Sequence, residues 1–314
     1  RDAQESRGLG DVYKRQGYYQ LISIITMKIL LAKDAGYCFG VRDAVDMAYD
    51  TSKEYGEVYM LGDIVHNENV VEDLEKSGVK VVSDLEDIPD DKPVLFRAHG
   101  TAKNVWKDAE NKKMNIIDAT CPLVHEIHRE VKQLHEEGRK IIIIGDHGHD
   151  EVIGIASQVE DAIVISSVEE AEQLRKTKKA GIVSQSTQKI ENVQDIINIL
   201  MTKVFDLRFV NTICFPTKRN HEQIKELSEI VDLMIVIGSF TSANSKRLTE
   251  LSLERNKNTY QVTNATEIDV SWFKKNINSV GVSAGASTPD LIIDSVIKRI
   301  KDITNTTDKE IIYE

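Results

Sequence analysis

From Met27 onward, short β-branched runs alternate with amphipathic helical stretches, and this alternation constrains the fold more than any other feature. The runs include Lys28–Ala32, Val79–Val82, Val94–Arg97, Ile116–Asp118, Ile141–Ile144, Ala162–Ile165, Gly181–Ser184, Leu233–Ile237, Thr259–Val262 and Val280–Ser283. Between them, apolar residues recur three and four apart, as the period of a helix demands. Val41, Val45 and Ala48 share one face, as do Val124, Ile127, Val131 and Leu134, then Ile196, Ile197 and Leu200, then Ile224, Leu227 and Val231. Strand–helix–strand repetition predicts parallel sheets covered by helices on both faces. The run of crossovers is long for one sheet, so several small α/β units are expected. No Pro- or Ser-rich linker divides them, which predicts units packed against one another.

The charge balance narrows the function. A formal charge of −11 without long basic runs argues against a nucleic-acid partner. The longest apolar stretch, Leu21–Ala32, is interrupted by Lys28 and is too short to span a membrane. Lys14-Arg15 precedes that stretch, but no cleavage site follows, so residues 1–26 read as an extension without function. The cysteines are only Cys38, Cys121 and Cys214, an odd and sparse set that points to a reducing, cytoplasmic compartment.

In parallel α/β sheets, ligands gather beyond the carboxyl ends of the strands. Four of those ends are chemically unusual: Phe96-Arg97-Ala98-His99-Gly100, Ile144-Gly145-Asp146-His147-Gly148-His149-Asp150-Glu151, Gly238-Ser239-Phe240-Thr241-Ser242-Ala243-Asn244-Ser245, and Ser283-Ala284-Gly285-Ala286-Ser287-Thr288-Pro289-Asp290. The last two are hydroxyl-rich turns that open helices. Each reads either as ordinary capping or as a cradle for an anion at a helix amino end. His66, His99 and His149 follow predicted strands, whereas His125, His128, His135 and His221 read as solvated helix residues. Of His147 and His149, only one need face a cleft. Glu151 either complements a helix dipole or serves as a proton donor in a partly dry site.

The cysteines lie 83 and 93 residues apart. Zinc would require close local pairs, and none exists. Three unrelated buried thiols remain one reading. Another is convergence of the three, one per unit, on an iron–sulfur cluster with one iron left without a protein ligand. Cys38, Cys121 and Cys214 each precede a helical pattern, and two have a proline close behind.

Taken together, Gly-Tyr-Cys-Phe-Gly-Val (36–41), Ile-Val-His-Asn (64–67), Ala-His-Gly (98–100), Asp-Ala-Thr-Cys-Pro-Leu-Val (118–124), Gly-His-Asp-Glu-Val (148–152), Ser-Ala-Asn-Ser (242–245) and Ala-Gly-Ala-Ser-Thr-Pro-Asp (284–290) occur in the order of one family. The chain resembles the 4-hydroxy-3-methylbut-2-enyl diphosphate reductases, from Met27 to about Ile303. The resemblance implies three small α/β units with parallel sheets in a pseudo-threefold trefoil around a central 4Fe-4S cluster. Units are then expected at 27–122, 123–208 and 209–303, with the first strand packing on the third unit and a frayed tail at 304–314. Cys38, Cys121 and Cys214 match the cluster ligands, and His66, His99 and His149 the substrate cavity. Ser242, Asn244 and Ser287 match diphosphate-binding positions, Glu151 the proton-supplying acid, and Ser186 a position where threonine is usual. Ala243 replaces a frequent serine, and Asp150 a common proline. The implied reaction is reductive dehydroxylation of (E)-4-hydroxy-3-methylbut-2-enyl diphosphate to isopentenyl and dimethylallyl diphosphate, the last step of the methylerythritol phosphate route. The implied electron donor is of the ferredoxin or flavodoxin type, and a monomer is expected. Arg97 and Lys246 are candidate helpers in holding the anion. The competing readings are a metal-free phosphosugar isomerase or lyase using Glu151 and His149, and a non-enzymatic anion-binding protein.

Overall fold

In the computed structural model, which describes residues 27–274 and 276–304 and the backbone of 311–313, the alternation becomes three parallel sheets. The segment read as an extension, 1–26, lies outside the described residues. Strand β1 (Lys28–Leu31) leads into helix α1 (Phe39–Tyr55). Then come β2 (Val58–Leu61), α2 (Glu68–Lys76), β3 (Val79–Val82), β4 (Pro93–Phe96), α3 (Lys103–Asn111) and β5 (Asn115–Asp118). Helix α4 (Pro122–Glu136) opens a second series: β6 (Lys140–Ile144), α5 (Asp150–Ala156), β7 (Ile163–Ile165), α6 (Val168–Gln173), β8 (Thr177–Ser184), α7 (Ile190–Met201) and β9 (Val204–Phe209). Helix α8 (Phe215–Ile230) opens a third: β10 (Leu233–Ile237), α9 (Ala243–Leu253), β11 (Thr259–Val262), β12 (Ser279–Ala284), α10 (Asp290–Thr304) and β13 (Ile311–Tyr313).

The strand orders are β3-β2-β4-β5, β7-β6-β8-β9 and β11-β10-β12-β1-β13. In the third sheet β1 takes the place that β5 and β9 hold in the other two, pairing with β12 from Lys28↔Ser279 to Leu31↔Val282. The chain thus closes a ring of three units. Its far end departs from the expected fraying: α10 continues to Thr304, and Ile311–Tyr313 adds a fifth strand beside β1. Strands β2 and β9 were not among the runs read from sequence. Strand β9 carries Asp206 and Arg208 on a half-exposed sheet edge, which dilutes its apolar signal.

Central strands are covered on both faces, so Ile141, Ile142, Ile143 and Ile144 are all buried. Helix α4 lays Ile127, Val131 and Leu134 on β6 and β8. This close approach needs Gly181, where a Cβ would stand 2.8 Å from the Leu134 Cβ and 3.1 Å from both its methyls. His128 lies on the same α4 stripe and is buried, with its ring over Gly100. His221 is buried on α8. These two histidines were expected in solvent. They sit inside because their helix positions face the core, which residue type alone does not reveal. Burial first, then nearby cationic and imidazole charges, pulls the pKa of each down to about 4. His125 and His135 are exposed, as expected.

Two outcomes follow from this packing. Gly181→Ala overpacks the α4–β8 contact and should cost about 1–3 kcal/mol, read as a lower urea midpoint at unchanged m. An unchanged midpoint would mean that Leu134 has room to move. His128 binds its proton less well folded than unfolded, so stability is complete above pH 6.5 and is lost as pH falls toward about 4. His128→Leu should reduce the stability-versus-pH slope in that window by up to about 1.4 kcal/mol per pH unit. Identical slopes for the two proteins would exclude this residue as a source of acid lability.

Candidate active site

Each cysteine is the residue immediately before a helix: Cys38 before α1, Cys121 before α4 and Cys214 before α8. First-turn helix amides lie close enough to favour each thiolate, and all three sulfurs line one cavity of about 100 Å³. Their main chains are pinned to the loop after the neighbouring strand of the same sheet. Cys121 N–H donates to the Ala98 carbonyl beyond β4 (3.0 Å), Cys214 N–H to Ser186 beyond β8 (3.0 Å), and Cys38 N–H to Ala286 beyond β12 (3.3 Å). Burial raises all three thiol pKa values, that of Cys214 to about 11 although Thr217 Oγ1 lies 3.0 Å from its sulfur. Gly40 lets α1 approach this centre, because a Cβ there would collide with Cys121 Sγ. Among the described residues, no three His, Cys, Asp or Glu side chains converge tightly enough to ligate a single metal ion.

His66, His99 and His149 form a packed trio in the cavity wall. The rings of His66 and His99 stack at 4.2 Å, and His149 meets them edge-on at 5.2 and 5.8 Å. Burial dominates their electrostatics, holding His99 well below its usual pKa, lowering His66, and bringing His149 to about 4. His149 is the N-cap of α5, and its Nδ1 accepts the Glu151 N–H at 3.1 Å. In the neutral ring the proton is therefore on Nε2, a donor for a ligand. His147 turns away and pairs with Glu170 at the surface.

Glu151 is 2% exposed. Ser186 grips its carboxylate twice, through its N–H to Oε1 (2.6 Å) and its hydroxyl to Oε2 (2.8 Å). Desolvation outweighs those bonds and raises the carboxyl pKa. Ser242 caps α9, its hydroxyl accepting the Ser245 N–H at 3.3 Å, and Ser287 donates to the His66 carbonyl at 3.2 Å. Asn244 differs: both polar atoms of its side chain are buried without a partner. The buried His66 Nε2 and His99 Nδ1 also lack hydrogen-bond partners. Such orphans carry a desolvation cost that a polar ligand would relieve. All of the site residues expected from sequence border this one cavity.

The expected cationic helpers take other positions. Arg97 Nη1 bonds Asp150 at 2.6 Å, which spends its charge on a tie between the first and second units. Asp150 Oδ2 also stands 4.0 Å from His66 Nε2. Lys246 is exposed and borders an outer vestibule alongside Lys189 and Arg247. Sequence reasoning missed Arg247, a largely buried cation that grips both oxygens of Asp146 at 2.7 Å and donates to Thr187 Oγ1 at 3.1 Å. It ties the third unit to the second beside Glu151. Its position one helical turn beyond Asn244 was the available signal. A third tie, also missed, joins Glu68 of the first unit to Ser239 of the third at 2.7 Å. Among the described residues, no helix is long and apolar enough to cross a membrane.

Comparison with known proteins agrees with this geometry. The family model of the LytB protein matches residues 29–301. A 4-hydroxy-3-methylbut-2-enyl diphosphate reductase of Geobacter sulfurreducens is 43% identical over 280 residues, covering 89% of this chain and 99% of that relative. One of Caldanaerobacter subterraneus is 39% identical, covering 90% of this chain and all of the relative. The solved E-1-hydroxy-2-methyl-but-2-enyl-4-diphosphate reductase of Plasmodium falciparum superimposes with a TM-score of 0.84 at 29% identity, over 88% of both chains. A second solved structure, of the reductase described as the terminal enzyme of the non-mevalonate pathway, gives a TM-score of 0.65 at 37% identity over 88% of this chain and all of that one. With three parallel α/β units, their cysteines turned to one centre, and a family match over nearly all of its described length, the chain belongs to the LytB family.

Proposed function

We propose that this chain reduces (E)-4-hydroxy-3-methylbut-2-enyl diphosphate to isopentenyl and dimethylallyl diphosphate. The balance is one allylic alcohol, two electrons and two protons giving one alkene and one water. The observation that carries the reading is a single cavity that combines three free thiols with the buried, unpartnered polar atoms of Asn244, His66 and His99.

Cys38, Cys121 and Cys214 would hold a 4Fe-4S cluster. Three soft donors, too widely spread for one ion and kept protonated at neutral pH by burial, suit a multi-iron group whose binding displaces their protons. Helix amino ends behind each thiol favour the thiolates once formed. When bound, such a cluster supplies one-electron transfer and, at an iron without a protein ligand, a Lewis acid.

The remaining work belongs to side chains. Asn244 and the hydroxyls of Ser242 and Ser287 hold the diphosphate, with His149 Nε2–H, His66 and His99 as further neutral donors. Glu151 is the proton donor, its carboxyl pKa raised by desolvation and its orientation fixed by Ser186 through Oε1 and Oε2. The dry walls exclude water until the hydroxyl departs as water. All of these groups come from one chain, which supports function as a monomer. Three free thiols suit the cytoplasm. A ferredoxin- or flavodoxin-type protein completes the reaction as electron donor.

Anaerobic purification with iron and sulfide counting tests the cluster assignment. About four of each per chain, with a brown absorption that Cys121→Ser bleaches together with turnover, is the expected result. A Cys121→Ser protein with full turnover would instead favour the metal-free isomerase or lyase. Glu151→Gln keeps the shape and the Ser186 contact but removes the proton. It should lower kcat by about 10²–10⁴ with KM changed only a few-fold, measured with a chemical reductant. Retention of more than a tenth of kcat would remove Glu151 from the proton path.

A further inference from the structure

Two large aromatic side chains are left in solvent beside the cysteines. Phe39 and Phe215 are the first residues of α1 and α8, directly after Cys38 and Cys214, and are 39% and 51% exposed. Their rings stack on each other, with centroids 5.6 Å apart and planes within 8°. Burying such a pair releases apolar surface from water, so its exposure is unfavourable unless a partner covers it. An outer groove of about 430 Å³ adjoins them. Cys38, Phe39 and Pro216 border both this groove and the central cavity, so the wall between solvent and the thiols is one residue layer thick here.

The charge around the groove differs from that of the whole chain. Lys33, Arg42 and Arg219 face two carboxylates, Asp34 and Asp290, a local excess of cations on a chain of −11. Arg219 is held by Asp34 at 2.6 Å. Arg42 has only a 3.5 Å contact with Asp290, both half-exposed or more, and lies 5.5 Å from the centre of the Tyr37 ring. Lys33 is exposed and has no ion pair among the described residues. An apolar centre with a cationic rim has the anatomy of a transient protein interface. The rim selects an acidic partner and speeds encounter by steering.

We propose that the face formed by Phe39, Phe215, Lys33 and Arg42 is where a small acidic one-electron carrier protein docks. The inference rests on the reductase reading. The carrier is oxidised by one electron per encounter, so two encounters supply the two electrons that, with two protons, convert the alcohol to alkene and water. Transfer rates fall steeply with distance, and at this face Cys38 itself borders the outer groove. A chain with this net charge would repel an acidic carrier over most of its surface, so the local cations also decide where the encounter is productive.

The test uses the holoenzyme and a plant-type [2Fe–2S] ferredoxin as the probe. Binding is measured by calorimetry at about 20 and about 300 mM salt, and turnover is driven separately by ferredoxin and by methyl viologen. The expected result is a Kd that weakens at least about tenfold with salt. The double charge reversal Lys33→Glu with Arg42→Glu weakens it about tenfold at low salt, with turnover on methyl viologen kept within about twofold. Phe215→Ser, with its cluster absorption checked against the unsubstituted protein, weakens the Kd similarly and leaves the salt dependence in place. An unchanged Kd in both variants, or a salt-independent Kd, would overturn the proposal. So would a dimer that Phe215→Ser converts to monomer, because a second copy would then own the face. The reductase reading fails separately, if methyl viologen drives no turnover, while the Kd pattern alone decides the docking face.

Discussion

Each cysteine donates its main-chain N–H to the loop after the neighbouring strand of the sheet it leaves, Cys121 to Ala98, Cys214 to Ser186 and Cys38 to Ala286, while the helix it opens packs on the next sheet. These bonds run in one cyclic sense. The strand that ends each sheet series delivers a cysteine, the cysteine is fixed to the loop after the neighbouring strand, and the next helix departs from there. Buried main-chain groups need partners, so this arrangement satisfies the amides and fixes the thiol positions together. The anchor lies in one unit and the helix packs on the next, so displacing a unit would pull the cysteine between them and move its sulfur. The centre and the assembly of units are therefore one physical problem, and Gly40, which alone allows α1 to pass Cys121 Sγ, belongs to the same solution.

A second constraint is electrostatic. An anionic ligand invites arginine, yet the buried or half-buried arginines near the cavity are committed elsewhere. Arg247 is held by Asp146, and Arg97 by Asp150. They join units, and no full positive charge is left in the cavity wall among the described residues. Desolvation keeps the three histidines neutral, so the wall offers N–H donors, an amide and hydroxyls. Neutral donors preorganised in a dry site hold an anion strongly, because no water competes and nothing reorganises on binding. The same desolvation that favours neutral histidines raises the Glu151 carboxyl pKa. One property, low polarity around polar atoms, thus sets the charge state favoured by both the histidines and Glu151.

Much of this was legible in the residues. The alternation of β-branched runs with helical periods dictated parallel sheets, since neither pattern can be buried any other way. The unusual strand ends supplied the cavity residues, because carboxyl ends of parallel strands point to one side. Asp150 could be noted as a departure, but its partner could not, since Arg97 lies 53 residues away and only packing brings the two together. Strand β9 escaped notice because an edge strand with one wet face lacks a continuous apolar signal.

The sequence by itself determined the local elements and the chemical inventory: three thiols, a histidine set, a buried-acid candidate and two hydroxyl-rich turns. These depend on residue type and short-range period, which are properties of the chain alone. Tertiary structure decided what each group faces. It buried His128 and His221 by turning their helix faces inward, completed the third sheet with β1, and assigned the His149 proton to Nε2 through a helix cap. It also spent Arg97 and Arg247 on ties between units and left Asn244 unpartnered. Those outcomes depend on the distances and burial that arise when remote segments pack, so no local pattern encodes them.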